Sequence, residues 1–279
     1  MWPILGSALV AFVATAVLIA LAERVGFGDS GVGEQARRKL QKRAVAPIGG
    51  LAIGIAWCLA ATSEIAIGSL PKWLATPSST VAALSVALAV GVLDDALARG
   101  LRPLHKLLGQ LFAGCVLAYP TWSGFEPLNA LGWTCAGAFG AAFACNVWNT
   151  FDNADGVAAG LAGGGFALLG HPLAAAVLGF LPWNLLLRRG AAPRAYLGDG
   201  GSHLLGMVVL VEPAAWPLVV LPALDLARVA ALRLAAGVAP WVGDRRHLAH
   251  VFERRGLGPL AVAAVLVALG LLPLLPTLF

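Results

Sequence analysis

Charge is what this chain has least of. Only 12% of its 279 residues are Asp, Glu, Lys or Arg, and 59% are hydrophobic. Soluble domains carry about 25% charged residues. Mean hydropathy is +0.83. A soluble chain of this length could form one or two domains. It could not bury so much apolar surface, so a bilayer must cover the remainder. Cysteine is nearly as sparse. Cys58, Cys115, Cys135 and Cys145 stand singly, with no CxxC pair and no His at zinc spacing, so they read as small core residues. No basic segment precedes the apolar run Met1–Leu21, which is longer than a signal-peptide core and is expected to be a retained first helix. No low-complexity segment, soluble domain or internal repeat is visible.

What is present is a succession of apolar runs near spanning length. They cover 2–22, 47–68, 77–93, 104–119, 131–148, 157–170, 172–187, 202–212, 214–235 and 258–278. The expected fold is all-α: one polytopic membrane domain over 1–279 with about ten transmembrane helices. With the N-terminus outside, the loops after odd-numbered helices are cytosolic. All but Lys72 of the 19 Lys and Arg residues then fall on the cytosolic side. Arg24, Arg37, Arg38, Lys39, Lys42 and Arg43 form the first group, and Arg228 to Arg255 the last. This is the positive-inside pattern.

The carboxylates gather on the same side. Asp94 and Asp95 end the third run, Asp152 and Asp155 follow the fifth, and Asp199 follows the seventh. Asp225 lies within the ninth run and Asp244 after it. Two carboxylates at a helix C-terminus oppose the helix dipole, which points to metal binding or base chemistry. Lys106 and Gln110 share a face of the next helix, and Lys106 is placed for a phosphate. Asn146, Asn149, Asp152 and Asp155 recur at intervals of three, which on a helix makes one stripe. Their oxygens suit Mg²⁺ or can read a nucleobase or ribose. Gly198-Asp199-Gly200-Gly201-Ser202 reads as a glycine-rich loop entering a helix, with free N–H groups for an anion. In Asp244-Arg245-Arg246-His247-Leu248-Ala249-His250, the arginines could clamp a phosphate, and His247 and His250 could contact a metal, sugar or phosphate.

Together these stretches resemble the polyprenyl-phosphate N-acetylhexosamine-1-phosphate transferases, which include the phospho-N-acetylmuramoyl-pentapeptide transferases and are of the glycosyltransferase family 4 type. The resemblance runs from about residue 36 to 257 in order. Val45–Gly50 is similar to the family's Pro-x-x-Gly-Gly entry to a helix. Asp94-Asp95 with Lys106 and Gln110 resembles its Asp-Asp…Lys…Gln motif. Asn146–Gly156, Leu197–Ser202 and Asp244–His250 resemble three further motifs. Asn153 departs from a family Gly, and Ala249 from a family His.

The resemblance implies transfer of a sugar 1-phosphate from a UDP-sugar to polyprenyl phosphate, with Mg²⁺ as cofactor, at the cytosolic face of the cell (inner or plasma) membrane. Carried over by position, Asp199 with Asn149 would hold the metal. Asp94, Asp95, Lys106 and His247 would be catalytic. Asn146, Asp152, Asp155, Arg245, Arg246 and His250 would bind substrate. The implied partners are both substrates and membrane lipid, without nucleic acid; a homodimer is compatible with this. Three other readings compete. A CDP-alcohol phosphotransferase would need an Arg where Gly160 stands. A transporter would place its carboxylates mid-span. An inactive homologue would bind a lipid-linked sugar without turnover.

Overall fold

The computed structural model describes residues 2–28, 44–66, 78–120, 126–239 and 242–278. The basic residues 37–43 and Lys72 lie outside them. The apolar runs form α1 (Trp2–Val25), α2 (Gly49–Ala66), α3 (Ser78–Ala96), α4 (Pro103–Ala118), α5 (Pro127–Phe151), α6 (Val157–Leu168), α7 (Leu173–Leu185), α8 (Gly198–Val211), α9 (Val220–Ala235) and α11 (Pro259–Leu271). A short α10 (Leu248–Arg254) lies in the last basic region. Pro103, Pro127 and Pro259 open their helices at the position where a missing N–H costs nothing.

Among the described residues, four segments are long and apolar enough to cross a membrane by length and composition: Leu5–Val25, Ser78–Ala96, Pro127–Phe151 and Pro259–Thr277. The outer face of α1 shows what solvent they are built for. Leu5, Leu9, Val13, Val17 and Leu21 recur every four residues and are all exposed. That continuous apolar stripe is unsuited to water. The chain is a mostly helical membrane protein.

Three boundaries differ from the sequence expectation. The α5 helix runs on to Phe151 instead of stopping at 148, and Asp152 leaves helical geometry at φ −76°, ψ 44°. The α8 helix starts at Gly198, so the expected glycine-rich loop is its first turn. The run 214–235 divides into a 3-10 segment, Pro213–Val219, and α9. Pro213 and Pro217 cannot donate the N–H that a regular α-helix needs.

The central element is α8, buried continuously from Gly200 to Val209. It packs against α3, α5 and α2, while α4 closes the gap between α3 and α5. On the other side α1, α2, α7, α6 and α11 follow one another around the molecule. Two small pairings fix the loops at one end. β1 (Ala46–Pro47) runs parallel to β4 (Ala195–Tyr196), and β2 (Arg188–Arg189) is antiparallel to β3 (Ala192–Pro193). Beside the first pairing, Gly50 N–H donates to the Leu197 carbonyl at 3.0 Å. The motif at 45–50 therefore seats the start of α8.

Candidate active site

The C-termini of α3 and α5 and the N-termini of α4 and α8 meet at one end of the bundle, and their polar residues interlock in two layers. In the upper layer, Lys106 of α4 donates to Asp199 Oδ2 of α8. Asn149 of α5 donates to Asp199 Oδ1 at 2.5 Å and to Ser202 Oγ at 3.2 Å. Asp94 lies 3.6 Å from the same ammonium. One turn deeper, Gln110 meets His203 Nε2 at 3.1 Å, and Asn146 donates to Gln110 Oε1 at 2.7 Å. The two layers follow from helix periodicity. Lys106 and Gln110 are four residues apart on α4, and so are Asp199 and His203 on α8.

The two adjacent aspartates separate. Asp94 Oδ1 accepts the Leu101 N–H at 2.9 Å, which holds the α3–α4 corner. Asp95 turns to α8, where its carboxylate accepts the N–H groups of Asp199 at 3.1 Å and Gly200 at 3.0 Å. These are first-turn donors that lack a partner within their own helix. The free N–H groups expected there for an anion are thus occupied by Asp95. Close approach makes this possible. A Cβ at Gly91 would run into the backbone of Asp199 and Gly200, and one at Gly50 into Gly200 and Gly201. Gly198 has φ +76°, and a side chain there would meet Asp95 Oδ2 at 2.6 Å.

The expected stripe from Asn146 to Asp155 stops at Asn149, because the helix ends before Asp152. The half-buried side chain of Asp152 makes no hydrogen bond to another described residue. Burial pushes its carboxyl well above the usual range, and the charges of Asp199, Asp155 and Asp95 push the same way. Asp155 pairs with Arg188 at 2.9 Å. Burial still raises its pKa, outweighing the guanidinium, and Glu253 adds to the rise. Buried Asn184 fixes this turn: its Oδ1 accepts the Gly156 N–H at 2.8 Å, and its Nδ2 donates to the Ala195 carbonyl at 3.0 Å. Gly156, at φ +75°, holds the left-handed position. Asn153 has no positive φ, so its replacement of a glycine leaves the backbone unstrained.

The residues after α9 form a neighbouring network. His247 Nδ1 lies 2.9 Å from Asp225 Oδ2, and both side chains are buried. Asp225 also holds Arg228 at 2.8 Å and accepts the Leu248 N–H at 3.1 Å. Arg233 and Arg246 both pair with Asp244. Although burial opposes it, Arg233 holds the Asp244 carboxyl below its ordinary value, helped by the Arg246 N–H. Arg245 at 3.1 Å and His250 at 2.9 Å share Glu253 Oε2. Ala249 is 1% exposed and packs into the core between them. The arginines expected to clamp phosphate are therefore already held by carboxylates.

Asn184, His203 and Glu253 had not been singled out from sequence. For His203 a signal existed: its four-residue spacing from Asp199. Asn184 and Glu253 had none, because their partners are distant in sequence or outside any motif.

Magnesium suits the donors at Asp199. Asp94 and Asp199 offer carboxylates and Asn149 an amide oxygen once its side chain turns over, and all are hard ligands. Among the described residues, no three His, Cys, Asp or Glu side chains form a cage for an ion.

Fold and site define a helical membrane protein with its reactive groups collected at one end of the bundle. Residues 78–214, from α3 through α8, match Glycosyl transferase family 4. The undecaprenyl-phosphate alpha-N-acetylglucosaminyl 1-phosphate transferase of Thermotoga maritima is 26% identical over 95% of this chain and 86% of its own length. Proteins of the same name from Escherichia coli K12 and Shigella flexneri are 27% identical over 40% of this chain. In these two, the matched stretch spans only 38% of the relative's length. The family resemblance read from the motifs is borne out.

Proposed function

We propose that this protein transfers a sugar 1-phosphate, of the N-acetylhexosamine class, from a UDP-sugar to polyprenyl phosphate. The products are polyprenyl-diphospho-sugar and UMP. The observation that carries this reading is the convergence of Asp94, Lys106, Asn149 and Asp199 from four helices onto one point. The activity for which the Thermotoga maritima and Escherichia coli relatives are named supplies the reaction class.

In the proposed reaction an oxygen of the lipid phosphate attacks the β-phosphorus of the UDP-sugar. The bond from that phosphorus to the bridging oxygen breaks, and UMP leaves with the electron pair. The attacking oxygen is already ionised near pH 7, so no base is required. The obstacle is repulsion between phosphates, and positioning with charge neutralisation removes it. Lys106 supplies a cation beside Asp199. Asp94 and Asp199, with the Asn149 amide oxygen, would hold Mg²⁺. The ion would neutralise the diphosphate when bound. Asp152 and Asp155 support the nucleotide. His250, held by Glu253, would contact the sugar. His247, anchored by Asp225, fixes the start of α10. The same reading places the site at the cytosolic face of the cell membrane and has about ten helices crossing it.

The test is UMP release by purified protein given polyprenyl phosphate, Mg²⁺ and a panel of UDP-sugars. One hexosamine donor should be turned over. Asp199→Asn should lower the rate at least about a thousandfold while the protein stays monodisperse in detergent. Binding without UMP from any donor would favour an inactive homologue. Uptake into vesicles without UMP would favour a transporter.

A further inference from the structure

Several anionic phosphates must meet at this site, yet most cations around it are already committed. Arg188 holds Asp155, Arg228 holds Asp225, Arg233 and Arg246 hold Asp244, and Arg245 holds Glu253. The α3–α4 corner is different. The side chains of Arg99 and Arg102 are exposed there and make no hydrogen bond or ion pair among the described residues, and His105 is exposed beside them. The corner is fastened to the site itself through the Leu101 N–H on Asp94. Arg102 stands one helical turn before Lys106.

The same corner is apolar on its outer side. Leu93 and Leu97 at the end of α3 are 55% and 50% exposed, and Leu104 and Leu108 on α4 are 64% and 52% exposed. Each pair is four residues apart and so lines one face of its helix. Cations at the rim with leucines beneath them match a ligand that is anionic at its head and hydrocarbon behind it. A free nucleotide would use the cations and leave the leucines uncovered.

We infer that the α3–α4 corner, through Arg99 and Arg102, is the docking site for the phosphate head of a monophosphate lipid, which it delivers to Lys106. This rests on the reading of the acceptor as a lipid phosphate. The leucine faces of α3 and α4 carry the first part of the lipid chain.

The test is equilibrium binding, without donor sugar, to full-length protein in nanodiscs of zwitterionic lipid. The probes are undecaprenyl monophosphate and undecaprenol. Wild type should prefer the monophosphate. Arg99→Gln with Arg102→Gln should weaken monophosphate binding about tenfold and leave the alcohol's weak binding unaltered. Arg99→Lys with Arg102→Lys should recover most of the loss. Arg24→Gln removes another exposed arginine whose side chain has no partner among the described residues and should change nothing. Unchanged binding in the double Gln variant would overturn the inference, as would an equal loss in Arg24→Gln, which would mean bulk charge attraction. The assay needs no turnover. If wild type binds the lipid through these arginines but releases no UMP, the proposed reaction fails and the docking site stands. If UMP is released and the double Gln variant binds normally, the docking site fails and the reaction stands.

Discussion

Asp94 and Asp95 are neighbours in sequence with different tasks. Asp94 faces the Lys106 ammonium and anchors the corner before α4. Asp95 spends both carboxylate oxygens on the first N–H groups of α8. It caps that helix from another helix, where ordinarily the residue just before the first turn would do so. The cap sets the angle at which Asp199 enters the site, so Asp95 is a positioning residue. Asp95→Ala should cost about 1–2 kcal/mol at the start of α8 and speed hydrogen exchange at the amides of Asp199 and Gly200 by at least about tenfold. Asp94→Ala should leave those two amides protected while lowering activity. Equal protection in both variants would remove the capping role. A pair of adjacent acids at a helix end could be flagged from sequence as functional. Their division of labour could not, because it depends on α8 arriving some hundred residues later.

At the scale of elements, α8 is where sequence reading and structure part most clearly. The run Gly198–Gly201 looks like a loop because glycine disfavours helix interiors. It is helical because residues of two other helices press on it at once. Gly50 of α2 and Gly91 of α3 touch its backbone directly, and Asp95 satisfies its first donors. Tertiary packing overrides local propensity here, and nothing in a window of ten residues reveals it. The opposite error, extending the polar stripe of α5 to Asp155, has a local cause. Spacing by three is compatible with a helix but does not require one, and the chain turns at Asp152. The apolar runs, by contrast, were legible because lipid-facing helices need length and hydrophobicity alone. Glycine contacts at α8 give a sharp comparison. Gly50→Ala must push against the backbone of Gly200 and Gly201, whereas Gly54→Ala on the same helix meets only the end of the Leu88 side chain at 3.2 Å. Gly50→Ala should therefore cost about 1–3 kcal/mol and lower the detergent-solubilised Tm by several degrees. Gly54→Ala should shift it by less than about 1 kcal/mol equivalent, since a flexible leucine can give way. Thermal unfolding followed by circular dichroism distinguishes the two.

For the molecule as a whole, the decisive property is sidedness. Helices that alternate in direction bring the ends of α3, α5 and α9 and the starts of α4 and α8 to one face, so residues far apart in sequence share a site. In the sequence the basic residues follow the same alternation. The bundle also fixes what belongs on the other face: the start of α5 and the 3-10 segment after α8 lie at the far end from Asp199. Exposed positions therefore divide into two sets. Ala98 and Ala191 lie with the site, and Asn129 and Ala214 lie opposite. Single cysteines at these positions, in a background where Cys58, Cys115, Cys135 and Cys145 are replaced by Ala or Ser, should react with a membrane-impermeant maleimide from one side only. In right-side-out vesicles Asn129→Cys and Ala214→Cys should label, and Ala98→Cys and Ala191→Cys should label only after the membrane is opened. The two sets exchanging sides would reverse the orientation while keeping the site intact. Labelling of Ala98→Cys and Ala191→Cys from opposite sides would break the site, because the α3–α4 corner and the loop before α8 must face the same water for Lys106 to reach Asp199.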